Sequence, residues 1–321
     1  MNFHSLYHPE IFQGNIKKTN YFEGWYFKQV TSDSSGVLSV IPGVSLAKDP
    51  HAFIQVIDGI SGNTHYIEFP ISEFHADSRR FVLKIGNNRF SREGIDLEIE
   101  RPDLQLAGRL EFINPVTWPR RPWAPGIMGW YSFVPRMECY HGVVSLDHSI
   151  GGELSYQGHK IDFKNGRGYI EKDWGTSMPE SWIWLHANTF ESQGTSVMLS
   201  VAKIPWRKSY FTGFIAFVLH GGKIYRFATY NGSRILSFYL RDQDLQITLV
   251  NRNFKLEIKA HQKVAGKLKA PVKGIMERYI KESIDSNVEM TLQDSPGSVI
   301  FTGAAKRSGL ELVGKPETLI R

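Results

Sequence analysis

The chain has 321 residues, 41% of them hydrophobic, and carries a formal net charge of +6. This length suits one large globular domain or two of ordinary size. The single cysteine, Cys139, excludes an intrachain disulfide, so nothing here indicates secretion. The N-terminal residues lack signal-peptide regions, and no apolar run approaches the length of a membrane span. We therefore expect a soluble cytoplasmic protein.

The positive charge is mostly scattered, and its densest stretch covers residues 263–281. This stretch lacks helical periodicity and has no stacking aromatic other than Tyr279. It therefore predicts a solvated basic loop, and we expect no nucleic-acid partner. A weak peripheral contact with an anionic membrane surface is a second interpretation of the stretch. Neither pattern assigns an oligomeric state.

Strand-like runs separated by turn residues fill the first part of the chain, after a weak helix candidate at residues 5–12. These runs cover residues 21–30, 38–44, 52–57, 65–69, 81–85, 95–100 and 105–112. Residues 114–125 then contain four prolines, which exclude a central strand. We expect a long irregular loop there, of the kind that covers functional sites.

Strand-like runs resume in the second part, with one more weak helix candidate at residues 275–281. They cover residues 152–156, 160–163, 182–190, 196–204, 213–219, 223–228, 235–240, 245–251, 255–260, 287–293 and 298–302. Short, evenly spaced strands with few helices predict an all-β barrel or sandwich protein. The number of strands favours two β domains, residues 1–150 and 151–321.

The segment 168–190 combines acids with aromatic rings. Alternation along a strand places Tyr169, Glu171 and Asp173 on one face. A second strand places four further side chains together: Trp182, Trp184, His186 and Asn188. Pro179 predicts a turn that brings the two strands side by side. Such a surface suits an apolar, electron-rich ligand held near a proton donor.

An acid among aromatic rings has a definite chemical use. Desolvation raises the pKa of a carboxyl group and keeps it protonated near neutral pH, so that it can protonate an alkene. Aromatic faces then stabilise the resulting carbocation. The alternative is a tryptophan-rich core with Glu171, Lys172 and Asp173 in surface ion pairs. Composition alone favours this alternative.

Two other segments carry titratable groups. On a strand over residues 21–30, Glu23 shares a face with Tyr21 and Trp25, which makes it a second acid candidate. The alternative is a glutamate that is paired with a cation or binds a loop amide. In residues 129–145, alternation places Glu138 and His141 on opposite faces. Structural roles are favoured for these two, although either could line a cavity at a bulge.

Several signatures of cofactor and nucleophile chemistry are absent. The sequence has no G-x-G-x-x-G, no Walker A loop, no G-x-S-x-G and no cysteine pair. His4 and His8 are four residues apart but lack the adjacent glutamate of a helical zinc motif. We therefore predict neither a cofactor nor a metal.

The three segments resemble the tocopherol cyclase family. The similarity lies in residues 21–27, residues 135–138 and a Y-x-E-K-x-W-G…P…W-x-W…N-x-F pattern. In this chain the pattern comprises Tyr169, Glu171, Lys172, Trp174, Gly175, Pro179, Trp182, Trp184, Asn188 and Phe190. The resemblance spans nearly the whole chain, and its third block is specific. It implies the two lipocalin-like β domains of a superfamily that includes carotenoid 1,2-hydratases.

The resemblance implies chromanol-ring closure, in which a protonated prenyl alkene is attacked by a phenolic oxygen without a redox cofactor or metal. Glu171 is then the first acid candidate and Glu23 the second. Plant cyclases carry Asn where this chain has Asp173, so Asp173 is a weaker candidate. The substrate-binding candidates are Tyr21, Trp25, Glu138, His141, Tyr169, Trp174, Trp182, Trp184, His186 and Asn188, with Asn188 as an orienting amide. Two alternatives stay open on the same scaffold: an isoprenoid hydratase and a non-catalytic carrier of an apolar ligand.

Overall fold

The computed structural model describes residues 3–206 and 209–320, and nearly all of their regular structure is β. The predicted all-β class, with two lipocalin-like β domains, is confirmed. The strands are β1 Tyr21–Val30, β2 Val37–Leu46, β3 His51–Asp58, β4 Thr64–Pro70, β5 Phe74–Ala76, β6 Val82–Ile85, β7 Asn88–Ser91, β8 Gly94–Arg101, β9 Leu104–Val116, β10 Cys139–Tyr156, β11 His159–Asp162, β12 Gly166–Gly175, β13 Trp182–Ala187, β14 Ser196–Trp206, β15 Ser209–His220, β16 Lys223–Ala228, β17 Arg234–Arg241, β18 Asp244–Val250, β19 Phe254–His261, β20 Gly266–Val272, β21 Ile275–Asp294 and β22 Val299–Val313.

Helices are short throughout the described part of the chain. The α-helix α1 spans Phe3–Tyr7, and four 3-10 helices cover Ile71–Glu73, Gly129–Phe133, Thr229–Asn231 and Pro316–Thr318. Among these residues we find no helix with the length and apolar character needed to cross a membrane. The predicted helix at residues 275–281 is wrong, because this segment begins β21 and buries alternate side chains such as Met276 and Ile280.

The first compact unit contains residues 1–58, 63–178 and 267–280. Its antiparallel sheet has the strand order β4-β3-β2-β1-β12-β10-β9-β8-β7-β6-β5, with β11 beside β10. One face of this sheet packs into a hydrophobic core that includes Trp25, Phe27 and Ile170. On the central strands β1 and β12, the side chains between these core residues lie on the opposite face.

The second compact unit contains residues 59–62, 179–266 and 281–321. Its strands follow the order β16-β15-β14-β13-β22-β21-β19-β18-β17, whereas β20, which pairs with β21, lies in the first unit from residue 267 onward. The hydrophobic core of this unit includes Ile183, Leu185 and Phe227. Ile183 and Leu185 are thus the core-facing residues of β13, as alternation predicts.

The compact units do not divide at the predicted boundary. Residue 150 lies inside the long strand β10, and the first unit continues to Met178. The physical reason is the position of β12, which pairs with β1 on one side and β10 on the other. The segment carrying the resemblance is therefore split, because β12 belongs to the first unit and β13 to the second.

The basic stretch at residues 263–281 is not a loop but contains β20 and the start of β21. Residues 267–280 belong to the first unit, where Gln55 exchanges two hydrogen bonds with the backbone of Lys269. The Lys269 ammonium lies 4.0 Å from the centre of the Tyr66 ring, and that of Lys267 lies 4.0 Å from the Tyr279 ring. These two cations are therefore engaged within the unit.

Candidate active site

The strand β12 presents different chemistry on its two faces. Tyr169, Glu171 and Asp173 share one face by alternation, whereas Lys172 and Trp174 share the core-facing side with Ile170. Because the strand is central in the sheet, both sets of side chains are held by hydrogen-bonded neighbours. The sequence E-K-D thus places its two acids on one face and its lysine on the other.

His141 lies between the two acids of β12. It stands directly across the β10–β12 pair from Asp173, and its Nδ1 is 3.0 Å from Asp173 Oδ1. Its Nε2 lies 3.6 Å from Glu171 Oε2 and has no hydrogen-bond partner within residues 3–206 and 209–320. The Tyr169 hydroxyl donates a hydrogen bond of 2.6 Å to the same Glu171 oxygen. We call Tyr169, Glu171, His141 and Asp173 the acid–histidine cluster.

The acid–histidine cluster favours a protonated imidazole. Burial opposes the charge, but the carboxylates of Asp173 and Glu171 outweigh this penalty and raise the pKa of His141 to about 9. Burial, together with the Glu171 carboxylate, raises the pKa of the Tyr169 hydroxyl well above its usual value. At neutral pH the cluster therefore contains a charged imidazolium and a neutral phenol.

Burial removes most of the cluster from bulk water. Tyr169 is fully buried, Glu171 is 4% exposed, and His141 and Asp173 are partly buried. Cys139 lies nearby, with its Sγ 3.8 Å from Asp173 Oδ1. Burial, reinforced by the charge of Asp173, raises the pKa of this thiol well above its usual value. Cys139 is therefore a neutral thiol here rather than a nucleophilic thiolate.

Glu23 lies on the core-facing side and forms a buried ion pair with Lys172. Its carboxylate also accepts hydrogen bonds from the backbone N–H groups of Gln13 at 2.8 Å and Gly14 at 3.0 Å, and from the Tyr21 hydroxyl at 2.5 Å. This is the arrangement anticipated by the alternative prediction of a paired glutamate that binds loop amides. Glu23 and Glu171 are therefore on opposite faces of the sheet.

Lys172 ties the N-terminal segment to the same face. It donates hydrogen bonds to the carbonyl oxygens of Pro9 at 2.8 Å and Ile11 at 2.5 Å. Its ammonium lies 4.6 Å from the Trp25 ring centre and 4.8 Å from that of Trp174. Burial lowers the pKa of Lys172 to about 8, although the Glu23 charge opposes this change. Trp25 and Trp174 thus surround a structural ion pair.

The remaining substrate-binding candidates, on and just after β13, lie in the second unit. Trp182, Trp184, His186 and Asn188 are buried, and β13 pairs with β14 and β22 rather than with β12. The predicted pairing of the two strands across Pro179 is therefore wrong. The physical reason is that β12 already has β1 and β10 as its neighbours.

The tryptophan face of β13 includes acids that the sequence patterns did not single out. Glu311 stands directly across from Trp184 on β22 and accepts a hydrogen bond from the indole of Trp182. Glu282 stands across from Glu311 on β21 and is buried. His186 Nε2 lies 3.3 Å from Ser196 Oγ. This second unit therefore contains its own aromatic and acidic face.

Glu138 lies at the end of the loop before β10. Its carbonyl oxygen accepts hydrogen bonds from the N–H groups of Thr176 at 2.8 Å and Ser177 at 3.3 Å. These contacts hold the loop against the end of β12. Glu138 thus has a backbone role in addition to any role of its carboxylate.

The acid–histidine cluster could also hold a cation. One donor atom each from His141, Glu171 and Asp173 can be chosen so that all lie within 4.8 Å of one another. Carboxylate and imidazole ligands suit several divalent metals. At neutral pH the proton on His141 would compete with such an ion, since the neutral imidazole is the ligand.

Comparison with known proteins identifies the family. The family model described as tocopherol cyclase-like matches residues 109–314, which include β10, β12 and β13. The chain belongs to the tocopherol cyclase-like family. The predicted family is thereby confirmed by a match that includes two of the three segments, together with His141, Glu171 and Asp173, whereas residues 21–27 lie outside it.

Two curated relatives carry tocopherol cyclase names. The chain is 24% identical over 200 residues to a probable chloroplastic tocopherol cyclase of Oryza sativa subsp. japonica, covering 59% of this chain and 42% of that protein. It is 23% identical over 200 residues to a chloroplastic tocopherol cyclase of Zea mays, with the same coverage. The matched stretch thus spans less than half the length of these curated relatives.

Solved structures support the fold of the tocopherol cyclase-like chain. The structure of CghA with Sch210972 superposes with a TM-score of 0.58 at 11% identity, covering 92% of this chain and 89% of that one. Kievitone hydratase from Nectria haematococca gives a TM-score of 0.52 at 10% identity, with 92% and 89% coverage. At these identities the likeness concerns the fold.

Proposed function

We propose that the protein catalyses a proton-initiated cyclisation of a prenylated phenol or quinol to a chromanol-type ring. The observation that carries this proposal is the buried acid–histidine cluster, in which Glu171 lies between the Tyr169 hydroxyl and the His141 ring. Membership of the tocopherol cyclase-like family supports the same chemistry. At neutral pH His141 carries the proton, and its Nε2 lies 3.6 Å from Glu171 Oε2, so a small approach of the two side chains would pass that proton to Glu171.

The reaction needs one proton, which is returned. Glu171, in its protonated form, gives its proton to the less substituted carbon of a prenyl double bond. The phenolic oxygen then forms a C–O bond with the tertiary cation and loses its own proton to the Glu171 carboxylate, directly or through His141. No atom is gained or lost overall, so the reaction is an isomerisation. Asp173 orients the imidazole through Nδ1 and is a positioning residue.

The proposal leaves Glu23 out of the chemistry. Its carboxylate is paired with Lys172 and accepts hydrogen bonds from Gln13, Gly14 and Tyr21. These contacts engage both carboxylate oxygens and hold the side chain in place. We therefore assign Glu23 a structural role.

The test is turnover of a prenylated hydroquinone in deuterated water, followed by mass spectrometry. Cyclisation places one deuterium on carbon without adding oxygen. Addition of the elements of water would instead identify a hydratase, an alternative suggested by the fold shared with kievitone hydratase. Binding without any product across a panel of prenylated phenols would identify a carrier and contradict the enzyme proposal.

Glu171→Gln is the decisive variant in this assay. We expect it to lose turnover while retaining ligand binding, because the amide keeps the shape of the carboxyl group but cannot supply the proton. Glu153→Gln is the matched control, since Glu153 is exposed and pairs with Lys160 at 2.8 Å. Full activity in Glu171→Gln would remove Glu171 from the acid role.

A further inference from the structure

A proline-rich loop, residues 117–138, carries large aromatic side chains into solvent. It connects β9 to β10 and contains the 3-10 helix Gly129–Phe133. Trp123 is 66% exposed, Trp130 48% and Phe133 39%. Trp130 and Phe133 are three residues apart in the 3-10 helix, so their side chains share a face. Several large aromatics exposed on one loop are typical of an interaction surface.

The exposure of these side chains is imposed by an anchored backbone. Trp118, Ala124 and Ile127 from the same loop are buried. Arg121 and Ala124 exchange two backbone hydrogen bonds of 3.0 Å, which form the tight turn that contains Trp123. The loop therefore holds its aromatic side chains outward on a fixed support.

Contacts with the N-terminal segment add to this anchoring. The Tyr7 hydroxyl donates a 2.5 Å hydrogen bond to the Pro122 carbonyl oxygen, and Arg120 pairs with Glu10 at 2.7 Å. Glu10 is nearly buried and also pairs with Arg92 at 2.8 Å. Arg120 therefore belongs to the support of the loop.

Before Glu138, its last residue, the loop carries charge of one sign. No aspartate or glutamate occurs between Glu111 and Glu138, whereas Arg120, Arg121 and Arg136 all lie in this interval. Arg121 and Arg136 are exposed. Residues 117–137 thus combine exposed tryptophan and phenylalanine with cations and contain no acidic residue.

We propose that residues 117–138 dock on an anionic lipid bilayer. Tryptophan side chains favour the headgroup region of a bilayer, where the ring is in an apolar layer and the indole N–H stays hydrated. Exposed arginines beside them are attracted by anionic headgroups. The proposal moves the predicted membrane contact away from residues 263–281, where Lys267 and Lys269 are engaged with tyrosine rings.

The docking loop is linked directly to the strand that carries His141. Met128 Sδ accepts a 3.1 Å hydrogen bond from the His141 N–H, and the Tyr140 hydroxyl donates a 2.7 Å bond to the Val134 carbonyl oxygen. A bilayer bound by the loop would therefore contact the segment that covers the start of β10. This arrangement suits delivery of an apolar substrate from lipid, although lipid binding itself does not depend on the proposed reaction.

Vesicle flotation tests the proposal without any turnover measurement. We expect the full chain to float with phosphatidylglycerol-containing vesicles, to bind pure phosphatidylcholine much less, and to dissociate as salt is raised. The double variant Trp123→Ala/Trp130→Ala should lower the partition coefficient by about tenfold or more, since it removes two interfacial rings. Each of Arg121→Gln and Arg136→Gln should lower it by about fivefold, most strongly at low salt.

Trp206→Ala is the matched control, because Trp206 is 39% exposed and lies in the second unit. Circular dichroism and thermal unfolding would establish that every variant is folded. Three results would overturn the proposal: no flotation of the wild type, equal flotation of wild type and loop variants, or an equal loss in Trp206→Ala. Each would leave the deuterium assay unaffected, so failure of the docking proposal and failure of the proposed function can be told apart.

Discussion

Asp173 Oδ1 lies 3.0 Å from Nδ1 of His141, directly across the β10–β12 pair. Because this contact fixes the imidazole plane, the second ring nitrogen is directed toward the carboxylate of Glu171. A carboxylate that binds one histidine nitrogen sets both the orientation and the proton affinity of the other. Substitutions of Asp173 can therefore test the charge of this residue separately from its orientation of the His141 ring.

Asp173→Asn should lower the pKa of His141 and shift the pH dependence of turnover. The amide oxygen can still accept a hydrogen bond from Nδ1, but the negative charge that helps raise this pKa to about 9 is lost. If the protonated ring is required, wild-type kcat/KM falls as the pH rises through about 9. In the variant this fall should occur at a lower pH. An alkaline limb that does not move would contradict the role of Asp173.

Tyr169→Phe should reduce kcat by about tenfold, with little change in ligand binding. The variant removes the hydroxyl that donates a 2.6 Å hydrogen bond to Glu171 Oε2, and the loss of one such bond is worth about 0.5–1.5 kcal/mol. Steady-state kinetics with the prenylated hydroquinone would measure kcat in both proteins. Tyr140→Phe is the control, because its hydroxyl binds a backbone carbonyl oxygen in the loop. Equal effects of both variants would assign Tyr169 a general packing role.

Glu23→Gln should destabilise the fold by about 3–5 kcal/mol, because it leaves the Lys172 charge buried without its partner. Urea unfolding would show this as a lower midpoint. Replacing both residues, by Glu23→Gln and Lys172→Met, should recover part of the loss. Glu153→Gln removes one partner of an exposed pair and should leave the urea midpoint nearly unchanged.

Activity separates the two roles considered for Glu23. Under conditions where Glu23→Gln is folded, turnover per folded molecule should stay near that of the wild type. Loss of turnover in a variant that keeps its native circular dichroism and ligand affinity would return Glu23 to the chemistry.

The sequence allowed the face of each side chain on β12 to be predicted, because alternation is a local property of a strand. It therefore grouped Tyr169, Glu171 and Asp173 correctly. It could not supply the partner across the sheet. His141 is thirty-two residues from Asp173 in sequence, and only the register of β10 against β12 brings them together.

The dependence on long-range strand pairing also explains why the sequence-based prediction placed β13 beside β12. A turn at Pro179 is compatible with a hairpin, and nothing in the local sequence distinguishes a hairpin from a change of sheet. The edges of β12 are already occupied by β1 and β10, which are contributed by residues far away in the chain. Fold class follows from local pattern, whereas the composition of the site follows from long-range pairing.

His148 should make the protein less stable in acid. It is buried on β10, where desolvation lowers its pKa to about 3, and its Nδ1 lies 2.9 Å from Ser145 Oγ. In the unfolded chain a histidine titrates near 6.5, so between about pH 6.5 and 3 the unfolded state binds the extra proton. This contribution to stability is complete above pH 6.5 and is lost at up to about 1.4 kcal/mol per pH unit below it.

Urea unfolding at a series of pH values would measure this slope. His148→Gln should flatten it over the acid range, even if the variant is less stable overall, because no proton is taken up on unfolding at this position. His159→Gln, at an exposed position on β11, is the matched control. His141 should act in the opposite range, since its raised pKa stabilises the fold below pH 6.5 and this contribution is lost as the pH rises to about 9. An acid slope that is identical in wild type and His148→Gln would show that His148 is protonated in the folded state.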